Sequence, residues 1–136
     1  MHMRAVAFLC MTPVFLLISG CSKSNPASPN TYTLTVTLQP PVAGAAGKTA
    51  YLKLVASGGA ATSPALYSAN VVFPGTGNAS VSIGKIASGT YHGWAFIDMN
   101  GSGGTAPDAG DYTADNEIPI TSNVNDTIPS VGWTGI

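Results

Sequence analysis

Basic and sulfur-bearing side chains are scarce. Arginine occurs once (Arg4), cysteine twice (Cys10, Cys21), histidine twice (His2, His92), and lysine only at 23, 48, 53 and 85. Charged residues make up 8% of the 136-residue chain, against about a quarter in an average soluble domain. Each shortage excludes a class of function. Nucleic-acid binding needs a basic stripe that displaces phosphate counterions, and none exists. Beyond residue 21 there is no cysteine, so a disulfide or thiolate metal site is excluded there. His92 alone cannot supply a histidine zinc site. A Ser–His–Asp relay would need one serine set apart by a nucleophile elbow, and no such turn is present. The chain is therefore expected not to be an enzyme, with His92 a plain surface residue. Helical periodicity is also missing, since no window of a dozen residues after residue 30 repeats apolar positions at helical spacing.

The one long apolar run is "AVAFLCMTPVFLLI" (5–18), preceded by Arg4 and followed by small residues. A basic start, a short apolar middle and small residues at the cut form an export signal. Fourteen positions fall short of the roughly 20 that a membrane-spanning helix needs. "LLISGC" (16–21) resembles the lipobox of bacterial lipoproteins. The resemblance implies cleavage of residues 1–20 and acylation of Cys21 on its sulfur and its new amino group, palmitate being a typical chain. Two or more acyl chains hold a protein stably where one does not. Ser22, rather than aspartate, implies by the same resemblance delivery to the outer membrane of the cell envelope. "SKSNPASPN" (22–30) is small, polar or proline and reads as a flexible tether.

Residues 31–136 remain for one domain. "TYTLTVTL" (31–38) alternates apolar residues with threonine, the pattern of a half-buried strand. Further strands are expected at 49–56, 66–73, 79–86 and 90–98, then at 116–121 and 126–133. The last two carry proline, which cannot donate to a central ladder, so an edge or strand end suits them. About seven short strands predict a single antiparallel β-sandwich. "NASVSIGKIASGTYHGWAFID" (78–98) resembles the transthyretin-like and carboxypeptidase-regulatory-like sandwiches, whose Gly-x-Tyr turn is matched by Gly89, Thr90 and Tyr91. Ser88 stands where that family commonly has proline. The resemblance implies a core position for Tyr91. "VAGAAGKT" (42–49) imitates a phosphate-binding loop but has Val42 at the first glycine and a strand where a helix is needed.

All six acids follow the last lysine, at 98, 108, 111, 115, 117 and 126. "FIDMNGSGGTAPDAGD" (96–111) spaces Asp98, Asn100 and Ser102 two residues apart, offers the Gly104 carbonyl, and closes with Asp108 and Asp111. Oxygens in that number suit Ca²⁺ as cofactor, bound at roughly 10⁻⁴ to 10⁻³ M as in extracellular modules. An EF-hand is excluded, because Ala109 occupies the place of the bidentate glutamate and a strand precedes the loop. A metal-free turn is the competing reading, since Asp and Asn side chains bond to nearby backbone. Recognition is the second theme. Trp94 and Phe96 share one strand phase with His92, and with Trp133 they form either a ligand platform or part of the core, in competition with the Tyr91–Ile97 phase. The expected function is a membrane-anchored lipoprotein with a non-catalytic binding or structural module, calcium-stabilised through 98–111. The alternative is a metal-free adhesin-type module for a glycan or protein ligand.

Overall fold

The computed structural model describes residues 29–104 and 106–136. The expected signal peptide, Cys21 and the tether up to residue 28 lie outside the described residues. The strands are β1 (Thr31–Leu38), β2 (Thr49–Ala56), β3 (Tyr67–Val72), β4 (Ala79–Ala87), β5 (Gly89–Asp98), β6 (Tyr112–Ile120), β7 (Val124–Ile128) and the short β8 (Thr134–Gly135). Single 3₁₀ turns occur at Ala43–Ala45 and Ser130–Gly132. Two sheets stack in a sandwich-like arrangement, one of order β4-β1-β7 and one of order β3-β2-β5-β6-β8.

Alternation decides what lies between them. Leu34, Val36 and Leu38 of β1 are buried while the intervening threonines are half-exposed. They meet Ala50, Leu52 and Leu54 of β2, Val81, Ile83 and Ile86 of β4, and Ile118 and Ile120 of β6. On β5 the phase is Tyr91, Gly93, Ala95 and Ile97 inward. Small residues in this row leave room for neighbours. A Cβ on Gly93 would sit 2.7 Å from Ile118 Cδ1. Tyr91 is a core residue, edge-on to Tyr67 with ring centres 5.7 Å apart. Its hydroxyl donates to the Ala87 carbonyl at 2.8 Å, while Tyr67 Oη accepts from Ala87 N–H at 3.1 Å. The turn between β4 and β5 is thus bound through both the N–H and the carbonyl of one residue, Ala87.

Three features differ from the expected pattern. All sheet pairs are antiparallel except β1–β7, which is parallel. Residues 121–123 carry the chain from β6 to the other sheet, where Asn123 Oδ1 accepts from Thr33 N–H at 2.9 Å and β7 lies down alongside β1. Side-chain alternation says which face is dry but nothing of strand direction. Secondly, β6 begins at Tyr112, not 116, because "YTAD" is drawn into the ladder opposite Ile97–Trp94. Thirdly, β7 ends at Ile128, with Pro129 next, instead of running to 133. Pro119 sits in β6 beyond the reach of β8, which pairs only with Tyr112 and Thr113, so its missing N–H faces no partner strand.

Leu34 is 0% exposed at the centre of this core, so Leu34→Ala is expected to cost about 2–5 kcal/mol. Tyr91→Phe, which removes the hydroxyl that bonds to Ala87, should cost about 1 kcal/mol. Chemical denaturation of both variants measures the difference; equal losses would contradict this division between packing and turn.

Candidate functional site

An antiparallel sheet can leave one face to water. The outer face of the five-stranded sheet is instead covered along much of β2 and β5. Tyr51, Lys53 and Val55 point outward from β2, and in register beside them lie Phe96, Trp94 and His92 of β5. Val55 is 0%, Phe96 2% and Lys53 5% exposed. Their cover is the segment 57–66, whose small side chains ("SGGAATSPAL") bring its backbone close. The Lys53 ammonium donates to the carbonyls of Ala61 and Ser63. Trp94 Nε1 donates to the Gly59 carbonyl at 2.9 Å. Glu117 accepts from Gly58 N–H at 2.6 Å and from the Ser57 hydroxyl at 3.1 Å, and Leu66 N–H returns the chain to Leu54 at 2.8 Å. Burial pushes the Lys53 ammonium below its usual range, and carbonyl dipoles offset the desolvation of its charge.

His92 anchors the other end of this face. Its Nδ1 lies 2.9 Å from Glu117 Oε1 and its Nε2 3.0 Å from Asp115 Oδ2, with the ring 5.1 Å from that of Trp94. Only an imidazolium donates from both nitrogens. Glu117 first, then Asp115, holds the imidazole above its ordinary value, against the opposing effect of burial. Glu117 is held low chiefly by the Gly58 N–H, then by His92. Both ring nitrogens face carboxylates, and Ser57 bonds to Glu117, so these groups form a clamp and not a relay. His92 is therefore more than the plain surface residue expected. The signal was the pair Asp115 and Glu117 on one phase of β6, but without the register nothing in the sequence set them opposite Trp94 and His92.

The acidic loop turns its carboxylates onto its own backbone. Asp98 accepts from Gly101 N–H at 2.7 Å and Gly103 N–H at 2.9 Å. Asp111, 2% exposed, accepts from Met99 N–H at 2.9 Å and Asp108 N–H at 3.1 Å. Asn100 donates to Asp108 Oδ1 at 2.7 Å and accepts from Ser102 N–H at 2.8 Å. Bonds from Asn100 and Ser102 hold the Asp108 carboxyl below its usual range. Gly104 lies apart, exposed at the rim of a neighbouring recess. Glycine is required at 101 and 103, where φ is +76° and +61°. Among the described residues no three of His, Cys, Asp and Glu are grouped as a metal site would need.

Of the three platform aromatics, the structure brings two together. Trp94 and Phe96 share the outer face, whereas Trp133 packs in the core between the sheets with Nε1 donating to the Gln39 carbonyl at 2.8 Å. Its place beside Phe96 is taken by Tyr51, whose ring stacks on Phe96 at 4.8 Å and 16°. Tyr51 alternates with Leu52 in "TAYLKLVA", so its outward phase was legible, but its neighbour across the ladder was not. Tyr51 and Phe96 floor a recess of about 420 Å³ walled by residues 62–65 and by Ser68 and Asn70 of β3. No protein-family model, curated protein or solved structure matches the chain.

A raised His92 pKa stabilises the fold fully below the ordinary value of 6.5, and that stabilisation is lost as pH rises through the folded value. Glu117 acts in the opposite sense, stabilising above its ordinary 4.5 and losing effect as pH falls. The His92 ring should titrate above 6.5 by NMR, and Glu117→Gln should move its midpoint downward. In parallel, His92→Gln should flatten the fall in melting temperature as pH rises above 6.5. An unchanged midpoint in Glu117→Gln would refute the clamp.

Proposed function

We propose that this chain is a lipid-anchored envelope protein whose β domain is a non-catalytic recognition module with a metal-free acidic loop. The observation that carries the reading is the aromatic-floored recess on the outer face, a concave site on a rigid ladder. The anchor rests on "LLISGC", with acylated Cys21 and the short tether holding the domain at the outer membrane. Kinship with the transthyretin-like sandwiches is supported by the turn at Gly89–Tyr91, where a core tyrosine bonds back to Ala87. The partner is a glycan or protein met at the envelope. The metal-free reading of the loop is supported by Asp98 and Asp111, each taking two main-chain N–H groups.

Two measurements test these parts. Growth with an alkyne-bearing fatty acid should label the wild type and leave Cys21→Ser unlabelled; label on the variant would remove the anchor. Melting the full chain in millimolar CaCl₂ and in EDTA should give the same temperature, with Asp98→Ala lowered equally in both. A rise of several degrees with calcium, abolished by Asp98→Ala, would instead make the loop a calcium site.

A further inference from the structure

Among the exposed polar side chains of the outer face, Thr62, Ser68 and Asn70 differ from their neighbours. They border the recess, yet make no side-chain hydrogen bond among the described residues. Ser57 and Glu117 on the same face are bonded to one another. Two hydroxyls and an amide therefore stand ready, as both donors and acceptors, around an apolar floor. That floor is asymmetric. Phe96 lies across the ladder on one side of Tyr51 and covers one face of its ring, while Asn70 is the cross-strand partner on the other side. The ring face turned from Phe96 thus looks into the recess, whose walls include Pro64 and Ala65.

We propose that the recess binds a short neutral saccharide, stacked on Tyr51 and held at its hydroxyl edges by Asn70, Ser68 and Thr62. A pyranose presents C–H groups on its face and hydroxyls on its rim. The electron-rich face of tyrosine attracts the former, and the three free polar side chains suit the latter. The volume of about 420 Å³ is in the range of small-molecule sites, roughly 300–1,000 Å³. Lys53 is the one charged side chain among the described residues that line the recess, and its ammonium donates to the Ala61 and Ser63 carbonyls, so a cation is disfavoured and the other polar groups of the lining are uncharged. This inference rests on the recognition reading above and narrows it to one site and one ligand class.

The test uses the full chain in a detergent without a sugar headgroup, followed by amide NMR. Maltose, lactose and chitobiose serve as neutral probes, glucuronic acid as the anionic comparison, and benzyl alcohol as an apolar non-sugar. At least one neutral disaccharide should shift the amides of Tyr51, Ser68 and Asn70. Tyr51→Ala should weaken it at least about tenfold, Tyr51→Phe by less than about threefold. If Tyr51→Ala fails to fold, Asn70→Ala, at an exposed position, should still weaken binding several-fold. Binding unchanged in Tyr51→Ala, or tighter for glucuronic acid, would overturn the proposal. Shifts with benzyl alcohol but no sugar would also overturn it while leaving a recognition site standing. No shift with any probe would overturn the proposal and leave a protein as the partner of the recognition reading.

Discussion

A buried ammonium sets the terms for the outer half of this molecule. Lys53 is placed by the alternation of β2 on the outward phase, opposite Trp94, yet it is 5% exposed. Lysine is almost never that buried without partners, and leaving such a charge uncompensated costs several kcal/mol. The carbonyls of Ala61 and Ser63 supply the compensation, which requires the 57–66 segment to lie down on the sheet. Once it lies there, Trp94 and Glu117 meet its backbone, Val55 and Phe96 become dry, and Tyr51 is left beside an open recess. An otherwise bland glycine- and alanine-rich loop is therefore a third layer over the five-stranded sheet.

The same constraint explains the clamp at the far end. Trp94 and Lys53 sit on adjacent strands, so a cover that reaches both must start near Glu117. Gly58 N–H on one carboxylate oxygen and the His92 imidazole beside it keep that carboxylate ionised. Charge density is low in the chain as a whole, and much of what exists is paired with backbone or histidine in this layer and in the loop at 98–111.

How much of this was legible depends on whether a residue's role is set by its own strand or by its neighbour. The β1 and β2 boundaries, and the dry set Leu34, Val36 and Leu38, follow from period-two alternation alone. Tyr91 inside and Trp94 and Phe96 outside were one of two phases left open for β5, and the choice came from Gly93 and Ala95 accommodating Ile118 and the facing sheet. Trp133 stays open in the sequence between platform and core because its surroundings depend on the 3₁₀ turn after Pro129, which ends β7 and folds the indole inward toward Gln39. The parallel placement of β7 and the early start of β6 are properties of pairing, to which side-chain pattern is blind. At 98–111 the spacing of Asp98, Asn100 and Ser102 suits side chains converging on an ion and a metal-free turn alike. In the fold Asp98 and Asn100 bend back onto N–H groups of their own loop, while Ser102 offers Asn100 its N–H. The competing turn reading rested on that chemistry.

The covered outer face and the recess both depend on the 57–66 segment being part of the fold. Amide hydrogen exchange at Gly58 and Leu66 tests this, since their N–H groups bond to Glu117 and to the Leu54 carbonyl. Protection of both amides on the order of a hundredfold or more over an open chain is expected. Exchange at open-chain rates, with β2 and β5 still protected, would mean that the outer face is bare and the recess has no wall.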